Sequence, residues 1–135
     1  MMKKAIPISI LFVIILTTSG FSQVEFTEHI LDQDFSGARF TTAIDVDDDG
    51  DLDIIGAAES GNDISWWENT GGMEWIEHII AADFTGVFSL YPIDLDGDGD
   101  LDVVGAAWID SEVSWFENDD DTWEEHIIDN TFWTS

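Results

Sequence analysis

The nonapeptide Asp45-Val46-Asp47-Asp48-Asp49-Gly50-Asp51-Leu52-Asp53 returns forty-nine residues later as Asp94-Leu95-Asp96-Gly97-Asp98-Gly99-Asp100-Leu101-Asp102. Each copy sets a carboxylate on every second residue and a glycine where the chain must turn sharply. Each then runs into a short apolar stretch, Ile54-Ile55-Gly56-Ala57-Ala58 or Val103-Val104-Gly105-Ala106-Ala107. Five alternating carboxylates in one loop repel one another unless a cation sits among them. The loop therefore constrains both the backbone and its surroundings, and it does so twice.

The duplication extends beyond the loops. Glu28-His29-Ile30 recurs as Glu77-His78-Ile79 and as Glu125-His126-Ile127. An aromatic stands three residues before each His (Phe26, Trp75, Trp123) and a Phe six residues after it (Phe35, Phe84, Phe132). Trp66-Trp67-Glu68-Asn69 recurs as Trp115-Phe116-Glu117-Asn118. One period reads as four short strands rich in β-branched and aromatic residues. The first is near 40–44 and again 88–93. The second follows the Asp loop, at 52–58 and 101–107. The third spans 64–68 and 113–117, and the fourth 75–80 and 123–128. Turn residues separate them, as in Ser60-Gly61-Asn62-Asp63 and Asn69-Thr70-Gly71-Gly72. Four strands in a repeat of about 40–50 residues is the period of a β-propeller blade. The fold expected is all-β: two four-stranded blades, about 32–80 and 81–128, and the start of a third at 129–135. A lone strand at 24–31 is expected before them. Two blades cannot close a ring, so the expectation is a partial propeller.

The loops have the donor set of a calcium site. Calcium takes about 6–8 oxygen ligands. Loop positions 1, 3, 5 and 9 supply side chains and position 7 a carbonyl: Asp45, Asp47, Asp49, Asp51 and Asp53, then Asp94, Asp96, Asp98, Asp100 and Asp102. Gly50 and Gly99 stand at position 6, where a side chain is expected to clash. An EF-hand needs Glu at position 12 and flanking helices; here position 12 is Gly56 or Gly105, and the flanks read as strands. Oxygen-only donors disfavour zinc and copper. Asp48, facing Gly97 in the other copy, is expected to point to solvent.

The N-terminal residues follow a different pattern. Lys3 and Lys4 precede an apolar run from Ala5 to Leu16, and Gly20 and Ser22 stand before Gln23 as a small-residue cleavage site. This is the pattern of a secretory signal peptide, residues 1–22. The run is shorter than the roughly 20 residues of a membrane span. The expected destination is secreted or periplasmic. Cleavage removes both lysines and takes the formal charge from −27 to −29, leaving Arg39 as the only Lys or Arg. Such a chain repels nucleic acid and its own compact state unless cations neutralise it. It has no cysteine, so a metal or a partner is the expected staple for so small a domain.

The Asp loops, the apolar-Gly-Ala strands after them and the Ser-Trp-aromatic-Glu-Asn columns resemble FG-GAP (VCBS-type) repeats. These are the calcium-binding repeats of integrin α-subunit propellers and of many secreted bacterial proteins. The resemblance covers roughly residues 24–135. It implies calcium between the first two strands of each blade, and a binding, adhesion or structural role toward a protein or carbohydrate.

The alternative is a carbohydrate-active enzyme, a lyase or glycosidase, or one piece of a larger propeller. Beyond the leader, the residues a lyase would use are limited to Arg39 and Tyr91, and no G-x-S-x-G motif occurs, so a non-catalytic chain is expected. His29, His78 and His126 hold one repeat position, which favours packing over chemistry. The Trp columns read as blade core. Trp108 and Trp133 have no aromatic counterpart and are the better candidates for another role. Arg39 is expected to pair with a nearby acid. Exposed blade edges favour self-association.

Overall fold

The computed structural model describes residue 25 and residues 27–72, 74–120 and 122–131. Eight strands follow in order: β1 Ala38–Ile44, β2 Asp53–Ala58, β3 Asp63–Asn69, β4 Trp75–Ala81, β5 Val87–Ile93, β6 Asp102–Ala107, β7 Glu112–Asp119 and β8 Thr122–Asp129. They form two antiparallel meanders, β1-β2-β3-β4 and β5-β6-β7-β8. Each of the eight strands expected within the two repeats is present to within a residue or two at either end. The registers repeat as well: Ile44 faces Asp53 as Ile93 faces Asp102, and Ile55 faces Trp66 as Val104 faces Trp115. The bulge in β1 at Ala38/Phe40 returns in β5 at Val87/Ser89.

The strand expected at 24–31 does not form among its described residues, Glu25 and 27–31. Both sheets are complete without it, and a segment with no ladder partner leaves its backbone groups to water. The leader, Phe26, Phe132 and Trp133 lie outside the described residues.

A single apolar core joins the sheets. Ile55, Ala57, Ile64 and Trp66 of the first share it with Val87, Leu90, Val103 and Phe116 of the second. Phe84, in the link between β4 and β5, is wedged into this core edge-on to Phe116, with ring centroids 5.2 Å apart. Gly105 makes room for it. A Cβ there would come within 2.9 Å of Phe84 and 3.1 Å of Phe116, closer than packed side chains tolerate. Phe35 repeats the motif beside Gly56, edge-on to Trp67 at 4.9 Å. The small residues of β2 and β6 thus make room for a ring.

Asn62, at the β2–β3 turn, fastens the link between the sheets. Its carbonyl accepts from the Phe84 N–H and its side-chain Oδ1 from the Gly86 N–H. Glu59 accepts from Arg39 Nη1 at 2.6 Å and from the Trp108 indole N–H at 2.8 Å. Arg39 thus has its acid, and Trp108, although about half exposed, ties the second repeat to its own counterpart position in the first.

Candidate metal centre

Each Asp loop spans the turn of a hairpin, β1–β2 or β5–β6, and both open onto one cleft of about 340 Å³. Asp45, Asp47, Asp48, Asp94, Asp100 and Asp120 line it. The loops are coiled on their own carboxylates. Asp47 Oδ1 accepts from the Asp49 N–H, Asp49 Oδ1 from Asp51 N–H, and Asp45 Oδ2 from Gly50 N–H. In the second loop Asp94 Oδ1 accepts from Gly97 N–H, Asp96 Oδ1 from Asp98 N–H, and Asp98 Oδ1 from Asp100 N–H. Side-chain bonds to a backbone two residues on are what make Asp a turn former.

The last Asp of each loop is the first residue of a strand and is buried, at 0 % and 1 % exposure for Asp53 and Asp102. Both carboxylate oxygens are engaged. Asp53 accepts from Val46 N–H at 2.8 Å and Asn69 N–H at 2.8 Å; Asp102 accepts from Leu95 N–H and Asn118 N–H, both at 2.9 Å. The side-chain amides of Asn69 and Asn118 return to the carbonyls of Leu52 and Leu101. The recurrent Glu-Asn pair after the tryptophans therefore has a structural cause: its Asn locks the end of the third strand to the loop. The sequence displayed the recurrence, but the partner lies sixteen residues away across two strands.

The ten acids do not converge equally. Asp45, Asp47 and Asp53 each bring a carboxylate oxygen within 4.8 Å of the others, and Asp94, Asp96 and Asp102 do the same. The carboxylates of Asp49, Asp51, Asp98 and Asp100 lie outside these triads. Asp45 Oδ1 is buried with no hydrogen-bond partner. A carboxylate oxygen in that condition is costly unless a cation meets it. Burial pushes the Asp47 carboxyl above the usual range, and the Asp49, Asp53 and Glu68 charges push it further, against the lowering effect of the Asp49 N–H bond. At Asp96 the Asp98 N–H bond lowers the pKa, yet desolvation and the charges of Asp98, Asp102 and Glu117 outweigh it and the pKa rises. Both loops thus hold carboxylates that resist ionising together.

Gly50 and Gly99 are required for a different reason from the one expected. A Cβ at either would meet nothing within 4 Å. What excludes a side chain is φ, +96° and +112°, beyond the left-handed well that other residues visit. Asp48 is exposed and takes φ +58°, where Gly97 takes +83°.

Glu68 and Glu117, at the ends of β3 and β7, add negative charge beside the loops. Glu68 bonds His78 Nε2 at 2.9 Å, and Glu117 bonds His126 Nε2 at 2.5 Å. His78 stacks on Trp66 with centroids 4.3 Å apart, and His126 on Trp115 at 4.7 Å. In the second sheet Glu124 joins Glu117 and His126 within 4.8 Å; in the first, Ile76 faces Glu68 in that place. His29 has no such stack among the described residues and borders a surface groove instead.

Residues 45–105 match the family described as the FG-GAP-like repeat. That span runs from the first Asp loop into the strand after the second. No curated protein and no solved structure matches the chain.

Proposed function

We propose, taking residues 45–105 as an FG-GAP-like repeat, that the chain is an exported, calcium-stabilised propeller-type module with a binding, adhesion or structural role. The observation that carries the metal reading is the buried, unpartnered Oδ1 of Asp45 within one of two equivalent carboxylate triads. Asp45, Asp47 and Asp53 would hold one ion and Asp94, Asp96 and Asp102 the other. Asp49, Asp51, Asp98 and Asp100 shape the loops through their backbone turns and add negative field. An all-oxygen donor set of this charge suits a hard cation such as calcium.

In this reading the ion is a folding ligand. The triads cost repulsion when empty and contribute stability when filled, because a ligand held only by the native state adds its binding energy to folding. The leader pattern supports export, where calcium is abundant. The partner would be a protein or a carbohydrate rather than a nucleic acid, which the net charge of −27 repels. We read the module as non-catalytic.

Thermal melts in calcium, in chelator and in sodium of matched ionic strength test this. At a hundredfold excess over Kd each site adds about 2.7 kcal/mol, and about 4–8 °C of Tm follows per kcal/mol in a domain of this size. The expected shift is therefore on the order of 10 °C or more per filled site. A Tm indifferent to chelator would end the calcium reading.

A further inference from the structure

The contact between the two sheets has two sides, and the repeat displays each side a second time with no second sheet packed on it. On the first sheet the contact face is Ile55, Ala57, Ile64 and Trp66, none more than 2 % exposed. Forty-nine residues on, Val104, Ala106, Val113 and Trp115 hold the same four places in the same register, and all four are only half-buried. The opposite side of the contact is Phe84, Val87, Leu90, Val103 and Phe116, with Gly105 beneath the rings. Its counterparts on the first sheet are Phe35, Ala38, Thr41, Ile54, Trp67 and Gly56. Those six residues, with His29 to Asp32 of the same chain along one side, line an open groove of about 300 Å³.

We propose that this groove takes the Val104/Ala106/Val113/Trp115 face of a second copy of the chain, so that copies join head to tail. The interface inside the chain is the template. Each side of it is repeated at the opposite end of the molecule, so a second copy supplies at one end what the first lacks at the other. The substitutions between the sides are mild: Ile55 becomes Val104, Ala57 remains alanine as Ala106, and Trp66 remains tryptophan as Trp115. On the groove side Leu90 to Thr41 and Val87 to Ala38 reduce the apolar volume, and on the opposite face Ile55 to Val104 and Ile64 to Val113 each remove one methylene. The contact is heterologous, and repetition of one rotation closes a ring or extends a chain. Charge opposes it: at −27 per copy association strengthens as salt shortens the Debye length. No part of this depends on a bound metal.

The test is sedentation of the full chain at rising concentration in about 1 M sodium chloride, where the Debye length is about 3 Å, by analytical ultracentrifugation. Thr41→Arg blocks the groove at an exposed position, and Ala106→Arg blocks the opposite face at a half-buried one. Wild type is expected to reach at least twice the monomer mass. Each variant alone is expected to lose the chains and rings that need both faces. An equimolar mixture, in which each partner keeps one complementary face, is expected to form a dimer that stops at twice the monomer mass. If either variant lacks a wild-type tryptophan-fluorescence melt, the pair Ala38→Lys and Val104→Lys replaces it. A monomeric wild type at every concentration overturns the proposal, including the case in which the chain's own terminal residues cover these faces. So does association that survives either variant, or a mixture that stays monomeric.

Discussion

Asp53 and Asp102 stand apart from the other triad acids in being fully buried with both carboxylate oxygens bonded. Each accepts two backbone N–H bonds at full burial and also completes a carboxylate triad. Asp53→Asn replaces one acceptor by an N–H₂ facing a backbone N–H. Losing a charge-assisted bond and stranding a buried donor costs about 2–3 kcal/mol, so its melt should fall in chelator as well as in calcium. Asp45→Asn removes an orphaned oxygen and one charge; its chelator melt should hold or rise, while its calcium shift should shrink. Equal behaviour of the two variants in chelator would refute the distinction. The titration of Asp47 and Asp96 gives a further expectation. Both carboxyls have folded pKa values above the ordinary one, so the folded chain binds these protons more tightly than the unfolded chain. Their contribution is favourable below the unfolded pKa and is lost as pH rises through the folded pKa. In chelator the Tm should therefore climb as pH is lowered from neutral toward the carboxylate range, and calcium should flatten or reverse that slope. A chelator melt that falls steadily over the same pH window would contradict it.

At the level of elements, the sequence displayed most of what formed. Alternating β-branched and aromatic residues between turn signals located all eight strands, and the forty-nine-residue period paired them. The segment 24–31 has the pattern of β4 and β8 but forms no strand among its described residues, since a strand is made by its neighbours as much as by its residues. The Asp loops were legible as carboxylate clusters able to hold a cation, but the grouping of their acids into triads was not. Spacing makes positions 1, 3, 5 and 9 look equivalent, whereas the oxygens that lie within 4.8 Å of one another come from positions 1, 3 and 9. The role of Gly105 was likewise hidden, since its ring neighbours come from 84 and 116. Gly105→Val forces three heavy atoms into that contact and should cost about 1–3 kcal/mol by overpacking, read as a lowered urea midpoint with unchanged m. An unchanged midpoint would mean that the Phe84 wedge is loose.

Across the whole molecule, the two sheets are separate in hydrogen bonding and joined in packing. No strand of one is in ladder with a strand of the other, yet Ile55, Trp66, Val103 and Phe116 lie in one core cluster. Neither sheet keeps its buried face without the other, so they should melt as a single unit. Calorimetry in calcium should give equal calorimetric and van't Hoff enthalpies; two resolved transitions would show the sheets to be independent. The salt bridge on Glu59 has a further consequence at this scale. The chain holds three lysines and arginines in all, and beyond Lys4 the one that remains is Arg39. It lies in β1 at the bulge between Ala38 and Phe40, and Glu59 holds its side chain at 2.6 Å. Trypsin-like proteases, which cut after lysine and arginine, thus find one target in the whole folded region: its side chain is exposed, but the residues on either side of it are held in the ladder with β2, so cleavage waits on β1 leaving that ladder. In surroundings rich in such enzymes, the lifetime of the molecule is set by how often that one strand opens.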